Sequence, residues 1–257
     1  MSPRALLLNE LDAWGEAGKQ AGFWWRDDDL GDPTAKLDPL LRVAEALDVE
    51  PLLAVEPRWA TPDLPKVLKG RPARVAVHGW AHVDHQRGAG KKAEFGDARP
   101  LETLAEEARA GLERLLDLFG DTMLSCFVPP WNRMVPDLAR LLPGAGYHAV
   151  SVFGDRPVDE ENPGIDWVNT HVDVIDWRGD RRFIGSDAVA ASITRELQRR
   201  RTMNDWDDEP IGLLTHHLEM HPDDWKGFWN LCDILMTHPT ARMLSSSALF
   251  RKCGAHE

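Results

Sequence analysis

The sequence of 257 residues has little cysteine, one tyrosine and no long apolar run, and these scarcities exclude several classes of protein. Its 3 cysteines, Cys126, Cys232 and Cys253, are far apart and form no CxxC pair, which argues against a disulfide framework or a thiolate zinc site. No run of about 18 apolar residues is present, so a membrane span is not expected. The N-terminus lacks a signal-peptide pattern, and we expect a cytoplasmic protein.

Basic residues are also scarce relative to acidic ones. The chain has 42 Asp and Glu against 30 Lys and Arg, for a formal net charge of −12. An acidic surface of this kind disfavours nucleic acids and anionic membranes as partners. The 11 tryptophans, by contrast, are many for this length. An indole ring can pack on a sugar ring, although ordinary core packing accounts for most of them.

Strand-like apolar runs alternate with amphipathic helical patterns along the chain. The strand candidates are 22–26, 51–55, 73–77, 124–128, 148–153, 168–175, 211–215 and 241–244. The helix candidates are 38–47, 101–119, 135–142, 186–201 and 223–236, with a further helical pattern at the N-terminus.

This alternation predicts parallel βα units. About seven such units favour a single domain over residues 1–257, a closed or nearly closed α/β barrel. A doubly wound open sheet is the alternative, but no GxGxxG motif follows the first strand, which weakens a dinucleotide-binding interpretation. The sequence does not indicate an oligomeric state.

The most informative segment reads VHGWAHVDH over residues 77–85. Its first two histidines, His78 and His82, have a spacing that lets both imidazoles bind one metal ion. They follow a predicted strand, and the carboxyl ends of barrel strands are where an α/β barrel carries its chemistry. Two solvated histidines are the simpler alternative, and the rest of the chain favours the metal site.

Four further polar clusters follow predicted strands. They lie at Arg26–Asp29, Phe127–Arg133, Asp173–Trp177 and Leu213–His221. Three adjacent carboxylates in the first cluster repel one another and need a metal, a cation or a shared proton. In the second, two prolines have no N–H, so Trp131 offers the next backbone donor, which suits an oxyanion. A histidine after a strand, as in the last cluster, suits a general acid or a ligand.

In this order the clusters resemble the motifs of the polysaccharide deacetylase (NodB-like) superfamily, which includes the family 4 carbohydrate esterases. The resemblance covers most of the chain. The matching segments are 27–29 for the Asp-Asp pair, 78–82 for His-(Ser/Thr)-x-x-His, 128–131 for Arg-x-Pro-aromatic, 173–177 for Asp-x-x-Asp-Trp and 214–216 for Leu-x-His.

The resemblance implies a distorted (β/α)7 TIM-like barrel of parallel strands with one divalent metal ion, Zn2+ being the expected one. It implies a metal-ligand set of Asp29, His78 and His82. It also implies a catalytic set: Asp28 as base, Trp131 as oxyanion donor, His216 as acid and Asp176 to orient the base or hold a cation. We predict three substrate contacts, Trp80, Arg133 and Trp177.

The match departs from the family at several positions. Asp27-Asp28 and Asp28-Asp29 both fit the first motif, and the pattern after Arg26 favours the second pair. The Ser/Thr of the second motif is Gly79. The glycine that follows the Asp pair in the family is missing.

The arginine of the third motif is replaced by Val128. Because that arginine normally tunes the base, we hypothesise that Arg26 or Arg133 supplies its charge. The function expected is a metal-dependent hydrolase that removes an acetyl group from an N- or O-acetylated sugar, a related saccharide intermediate or a small amide. A cyclic-amide hydrolase and a non-catalytic saccharide-binding barrel are the alternatives. Three histidines, His85, His217 and His221, have no assigned role.

Overall fold

A computed structural model describes residues 1–88, 90–157, 164–203 and 209–252 of the chain. Cys253 therefore lies outside the described residues. In these ranges no helix has the length and apolar character that crossing a membrane requires. Cys126 and Cys232 are both buried, and they belong to two different hydrophobic clusters.

Strands and helices alternate from the N-terminus to the C-terminus. The strands are β1 Ala21–Leu30, β2 Leu52–Val55, β3 Arg74–His78, β4 Met123–Val128, β5 Ala149–Val150, β6 Asp166–Trp167, β7 Val172–Asp173, β8 Ile211–Thr215 and β9 Ala241–Met243. The helices are α1 Pro3–Glu16, α2 Leu37–Leu47, α3 Leu64–Leu68, α4 Leu101–Phe119, α5 Pro136–Ala139, α6 Ser186–Thr202, α7 Pro222–Thr237 and α8 Ser246–Lys252.

All the strand pairings are parallel, and the sheet runs in the order β6-β5-β4-β3-β2-β1-β8-β7, with β9 beside the start of β1. The segment from β6 to β7 connects the two ends of this order: Thr170 N–H donates to Val152 O on one side, and His171 N–H donates to Gly212 O on the other. The sequence predicts one continuous strand over 168–175, and the structure has two short strands, β6 and β7, in this region. The arrangement confirms the predicted distorted barrel of parallel strands.

Successive strand residues alternate between two cores, as expected for a sheet that is covered on both faces. Small side chains such as Ala54, Ala76 and Cys126 share the barrel interior with Trp24. The larger side chains of the opposite face, such as Trp25, pack under the helices. This alternation sends Arg26 and Asp28 toward the interior side of β1 and Asp27 toward the helices.

Other predicted elements also differ from the structure, and two of them bear on the site. The predicted helix over 135–142 is reduced to α5, followed by a 3-10 turn at Pro143–Ala145, because Pro143 removes a backbone donor. The first strand extends to Leu30, so the three aspartates lie in β1 itself and not after it. The predicted boundaries of α4 and β8 are those observed.

Candidate active site

The carboxyl end of β1 presents two consecutive carboxylates to the same region. Neighbouring strand residues normally point to opposite faces. Here the pairing with β2 shifts register between Asp27 and Leu30, and Asp29 has a left-handed backbone with φ of 66°. This irregularity turns Asp29 toward β3, while Asp28 stays on the interior face with Arg26.

Asp29 lies between the two histidines that the sequence singled out. Its Oδ1 atom is 3.1 Å from His78 Nε2 and 3.2 Å from His82 Nε2. One ligand atom from each of the three residues lies within 4.8 Å of the others. His78 is buried, whereas the other two side chains keep about a quarter of their surface exposed, so the group opens to solvent on one side. One carboxylate oxygen and two imidazole nitrogens form a donor set that fits a divalent ion with positions left open.

Hydrogen bonding fixes the orientation of the His78 ring. Its Nδ1 atom is 3.0 Å from Val128 O, and a carbonyl only accepts, so Nδ1 carries a proton. In the neutral ring the Nε2 lone pair is then directed at Asp29, as a metal ligand requires.

Without a metal, a proton takes the place between these groups. Burial alone lowers the pKa of His78, but the hydrogen bond that His78 donates to Asp29 and the charges of Asp28, Asp29 and Glu56 outweigh it and raise the pKa to about 9. Burial also raises the pKa of Asp29, but the hydrogen bonds from His78 and His82 hold that pKa far below its ordinary value. Burial raises the pKa of Glu56, and the charges of His78 and His82 oppose this rise.

The loop between the two histidines is held by a buried carboxylate. Glu94 accepts backbone hydrogen bonds from Trp80 N at 3.1 Å and from Ala81 N at 2.8 Å. Gly79 has a φ of 58°, and a Cβ there would lie 2.3 Å from Glu94 Oε2 and 2.5 Å from Pro130 Cδ. The Ser or Thr of the family motif therefore does not fit in this chain, which explains the glycine.

Arg26 is the cation that contacts Asp28. Its Nε atom is 2.8 Å from Asp28 Oδ1, and its Nη2 atom is 3.0 Å from Asp28 Oδ2. The same guanidinium donates to Ser151 Oγ at 2.7 Å and to Asn132 Oδ1 at 2.6 Å, and both Arg26 and Asp28 are buried. Of the two arginines considered for the charge missing at Val128, the structure brings Arg26 to Asp28.

Asp27 belongs to a separate buried network. It accepts a hydrogen bond from Thr215 Oγ1 at 2.6 Å and lies 2.5 Å from His217 Nδ1. Trp25 Nε1 donates to the same Thr215 hydroxyl at 2.8 Å. These bonds tie β1 to β8 on the helix-facing side of the sheet. With Asp27 occupied in this way, Asp28 and Asp29 are the pair that reaches the site.

His216 lies on the other flank of the site with Asp173 and Trp177. The Nδ1 atom of His216 is 4.0 Å from Asp173 Oδ1, and its ring meets the Trp177 ring edge-on at 4.6 Å between centroids. Trp177 Nε1 also donates to Asp173 Oδ2 at 2.7 Å. Burial raises the pKa of Asp173, which the charge of His216 partly opposes.

Asp176 does not join this group. Its carboxylate accepts hydrogen bonds from Arg178 N at 3.1 Å and Gly179 N at 2.9 Å, so it caps an exposed turn. The structure therefore brings Asp173, and not the predicted Asp176, to His216.

Trp131 lies against the metal-ligand group. Its ring is 4.2 Å from the His82 ring between centroids, and its backbone is left-handed, with φ of 55°. Asp29, His82, Trp131 and Asn132 are four of the six described non-glycine residues with positive φ. Such costly conformations concentrate where a site demands an unusual side-chain direction.

The other predicted residues have varied surroundings. Trp80 is half-buried against the hydrophobic core, and Trp177, which meets the His216 ring, is exposed. Arg133 lies on the surface, where it donates to Lys92 O at 3.0 Å. His221 caps the start of α7 with Asp224. His85 pairs its backbone with Ala93.

A second group of potential ligands, Asp155, His171 and Glu196, lies beside α6. The atoms that could bind a metal ion already contact other groups of the protein. Arg199 contacts Asp155 Oδ1 at 2.5 Å and Glu196 Oε1 at 2.6 Å, and His171 Nδ1 accepts from Gly212 N at 3.1 Å. Arg199 already supplies positive charge to both carboxylates, which argues against a metal ion at this position.

Comparison with known proteins identifies the fold. No protein-family model and no curated protein matches the chain. Among solved structures, a Mycobacterium smegmatis protein described as a polysaccharide deacetylase has a TM-score of 0.68, covering 93% of this chain and 91% of that one at 15% identity. This chain has the polysaccharide deacetylase fold.

Two further structures widen the comparison. The family 4 carbohydrate esterase from Streptomyces lividans, in complex with acetate, has a TM-score of 0.54 at 15% identity and covers 88% of this chain and 91% of that one. A family 4 pseudoenzyme from Bacillus anthracis has a TM-score of 0.54 at 13% identity, and the match covers 90% of this chain and 66% of that one. Active and inactive proteins share the fold, so the fold alone does not decide the activity.

Sequence reasoning missed several residues around the site: Glu56, Glu94, Ser151 and Asn132. Glu94 lies outside every predicted strand, helix and polar cluster. Asn132 lies within the predicted cluster Phe127–Arg133 but was given no role, and Ser151 lies within the predicted strand 148–153. The position just past a strand end was the one available signal for Glu56.

Proposed function

We propose that this protein is a metal-dependent hydrolase that removes an acetyl group from an N- or O-acetylated saccharide. One observation carries the proposal: Asp29, His78 and His82 converge on one point, with a buried Arg26-bound Asp28 beside them. A binding barrel has no need for a buried carboxylate that an arginine holds next to three ligand atoms. The fold shared with deacetylases supports the same reaction class.

The three side chains Asp29, His78 and His82 would hold the ion. A divalent ion bound there, for which zinc is our proposal, supplies Lewis acidity to the acyl carbonyl and to the attacking water. The protein contributes the geometry: Val128 O orients His78, and Glu94 holds the loop that carries His82.

Asp28 is the proposed base. Its two oxygens face the guanidinium of Arg26, which places a positive charge beside the carboxylate and fixes its orientation. In the reaction, Asp28 takes the proton of the attacking water. Trp131 supplies a backbone N–H to the developing oxyanion, in a loop whose two prolines have no N–H of their own.

His216 is the proposed acid. It lies against the Trp177 ring, and the Asp173 carboxylate faces its Nδ1 atom. The protonated ring gives its proton to the leaving amine or alcohol, and Asp173 stabilises the charged form until then. The Trp177 ring is the proposed contact for the sugar next to the scissile bond.

The two alternatives make different predictions. A cyclic-amide hydrolase would use the same ligands and base but open a ring without releasing acetate. A non-catalytic saccharide-binding barrel, for which the Bacillus anthracis pseudoenzyme is a precedent within the fold, would bind sugar and release nothing. The engaged Arg26–Asp28 pair favours catalysis because it supplies the charge that the missing arginine at Val128 would have given. We also propose a cytoplasmic location, where small saccharide intermediates are the accessible substrates.

Acetate release from a panel of acetylated sugars tests the proposal. The metal-loaded protein should release acetate, and D28N should lose about 10²–10⁴-fold of the rate while it binds metal and sugar normally. Sugar binding without acetate release would favour the binding barrel. Ring opening of cyclic amides without acetate release would favour the other hydrolase.

A further inference from the structure

The edge of the site beside Trp131 carries two cations, Lys92 and Arg133, which we name the basic lip. The Trp131 ring connects the lip to His82, one of the three candidate metal ligands. The His82 ring lies 4.2 Å from the Trp131 ring, and Lys92 Nζ lies 5.9 Å from the centre of that same ring. Arg133 follows Trp131 after one residue and donates to Lys92 O at 3.0 Å. Both side chains are exposed.

Neither cation of the basic lip has a carboxylate partner among the residues that the structure describes. The opposite flank differs. Arg181 lies 5.1 Å from the Trp177 ring, but Glu219 neutralises it at 2.6 Å. The basic lip is therefore an unneutralised positive edge beside the site.

This edge contrasts with the charge of the whole protein, which is −12. At long range such a protein repels an anionic ligand, so an anionic substrate needs local cations to be held. An ammonium and a guanidinium on neighbouring loops suit an anionic oxygen group, and the Trp131 ring, which contacts both Lys92 and His82, suits the apolar face of a sugar.

We propose that the basic lip binds an anionic oxygen group of the substrate, so that the preferred substrate is an acidic acetylated saccharide and not a neutral one. The inference rests on the proposed function for the acetyl group, but it concerns a different part of the substrate. Carboxylate and phosphate share the chemistry that the lip recognises, and the test separates them.

Three sugars that differ only at carbon 6 provide the test: N-acetylglucosamine, its 6-phosphate and the corresponding uronic acid. Calorimetric titration of the metal-loaded protein should give at least about 10-fold tighter binding for one or both acidic sugars than for the neutral one. The preference should fall as salt is raised, because the lip is exposed. The ratio between the two acidic sugars identifies the anionic group.

Charge-removing variants locate the preference. K92Q and R133Q should each reduce it about fivefold or more, while the affinity for the neutral sugar changes little. K91Q is the matched control: it removes a neighbouring exposed charge that makes no contact with the Trp131 ring in the structure. The control should leave the preference unchanged.

The outcomes are distinct. Equal affinity for acidic and neutral sugars, no binding of any of them, or an equal loss in K91Q and K92Q would overturn the inference. Selective binding of acidic sugars without acetate release would uphold the lip and contradict the proposed reaction. Acetate release from neutral and acidic sugars at equal kcat/KM would support the proposed reaction and contradict the inference about the lip.

Discussion

Arg26 and Asp28 lie two residues apart on β1, and the guanidinium of the first contacts both carboxylate oxygens of the second, at 2.8 and 3.0 Å. Residues with this spacing share a face of a strand, so the strand geometry itself builds the pair. Ser151 and Asn132 occupy two further donors of the guanidinium. One strand thus provides both the proposed base and the cation that holds it in place.

The first prediction concerns this pair. R26K keeps a charge but loses the bidentate contact with Asp28. We expect turnover to fall about 10²-fold because the proposed base is no longer held in place. R26M leaves Asp28 buried without a partner, which should cost about 3–5 kcal/mol of stability. R133M serves as the control, because Arg133 does not contact Asp28. Steady-state kinetics on a neutral acetylated sugar and urea unfolding measure both effects. A wild-type kcat in R26K would contradict the role of the pair.

The second prediction separates two aspartates three residues apart. D173N should lower kcat about 10²-fold or more, because it removes the carboxylate that faces His216. D176N should leave kcat close to that of the wild type, since Asp176 caps an exposed turn. Burial raises the pKa of Asp173 above its ordinary 3.8, so activity should fall with decreasing pH at a value above 3.8. The same loss of kcat in both variants would argue against the pairing with His216.

The third prediction concerns Gly79. G79S restores the residue type of the family motif, yet its Cβ would overlap Glu94 and Pro130, so we expect destabilisation. G70S is the matched control: Gly70 also has a positive φ, 77°, but nothing lies within 4 Å of its Cβ position. Both variants incur the backbone cost, and only G79S adds the clash. The difference in unfolding free energy should be about 1–3 kcal/mol, and metal affinity should fall in G79S alone. Equal destabilisation by the two would contradict the steric explanation.

The fourth prediction follows from the raised pKa of His78. In the metal-free folded protein its pKa is about 9, against 6.5 ordinarily, because the hydrogen bond with Asp29 and nearby charges outweigh burial. As pH rises, the unfolded state therefore releases this proton at a lower pH than the folded state does. This contribution to stability is complete below pH 6.5 and is lost as pH rises through about 9. Urea unfolding of chelator-treated protein between those limits should show the decline, and H78N should show a smaller one. A stability that does not fall over this range, or falls equally in H78N, would exclude the protonated pair.

The order of strands and helices was predictable because hydrophobic periodicity reports which face of an element is buried. Leu101–Phe119 shows this most clearly, since its apolar residues repeat at helical spacing and both of its ends match. The irregular region around β6 and β7 was not predictable in detail. Its backbone bonds alternate between two neighbours, and no side-chain period reports that arrangement.

The site was predictable where a motif is local and not where strand geometry decides. His78 and His82 were found from their spacing, and the structure brings both to Asp29. The choice between Asp173 and Asp176 depended on which carboxylate the strand directs inward, and both fit the motif equally well in sequence. Glu94 could not be inferred, because its partners are backbone N–H groups that carry no sequence signal.

Metal content tests the central claim most directly. Mass spectrometry of the purified protein, after reconstitution with zinc and removal of unbound ions, should find about one divalent ion per chain. H78A and H82A should each lose it, while H85A, which alters a neighbouring histidine outside the ligand group, should retain it. A wild-type protein that holds no metal, or variants that hold as much as the wild type, would contradict the account.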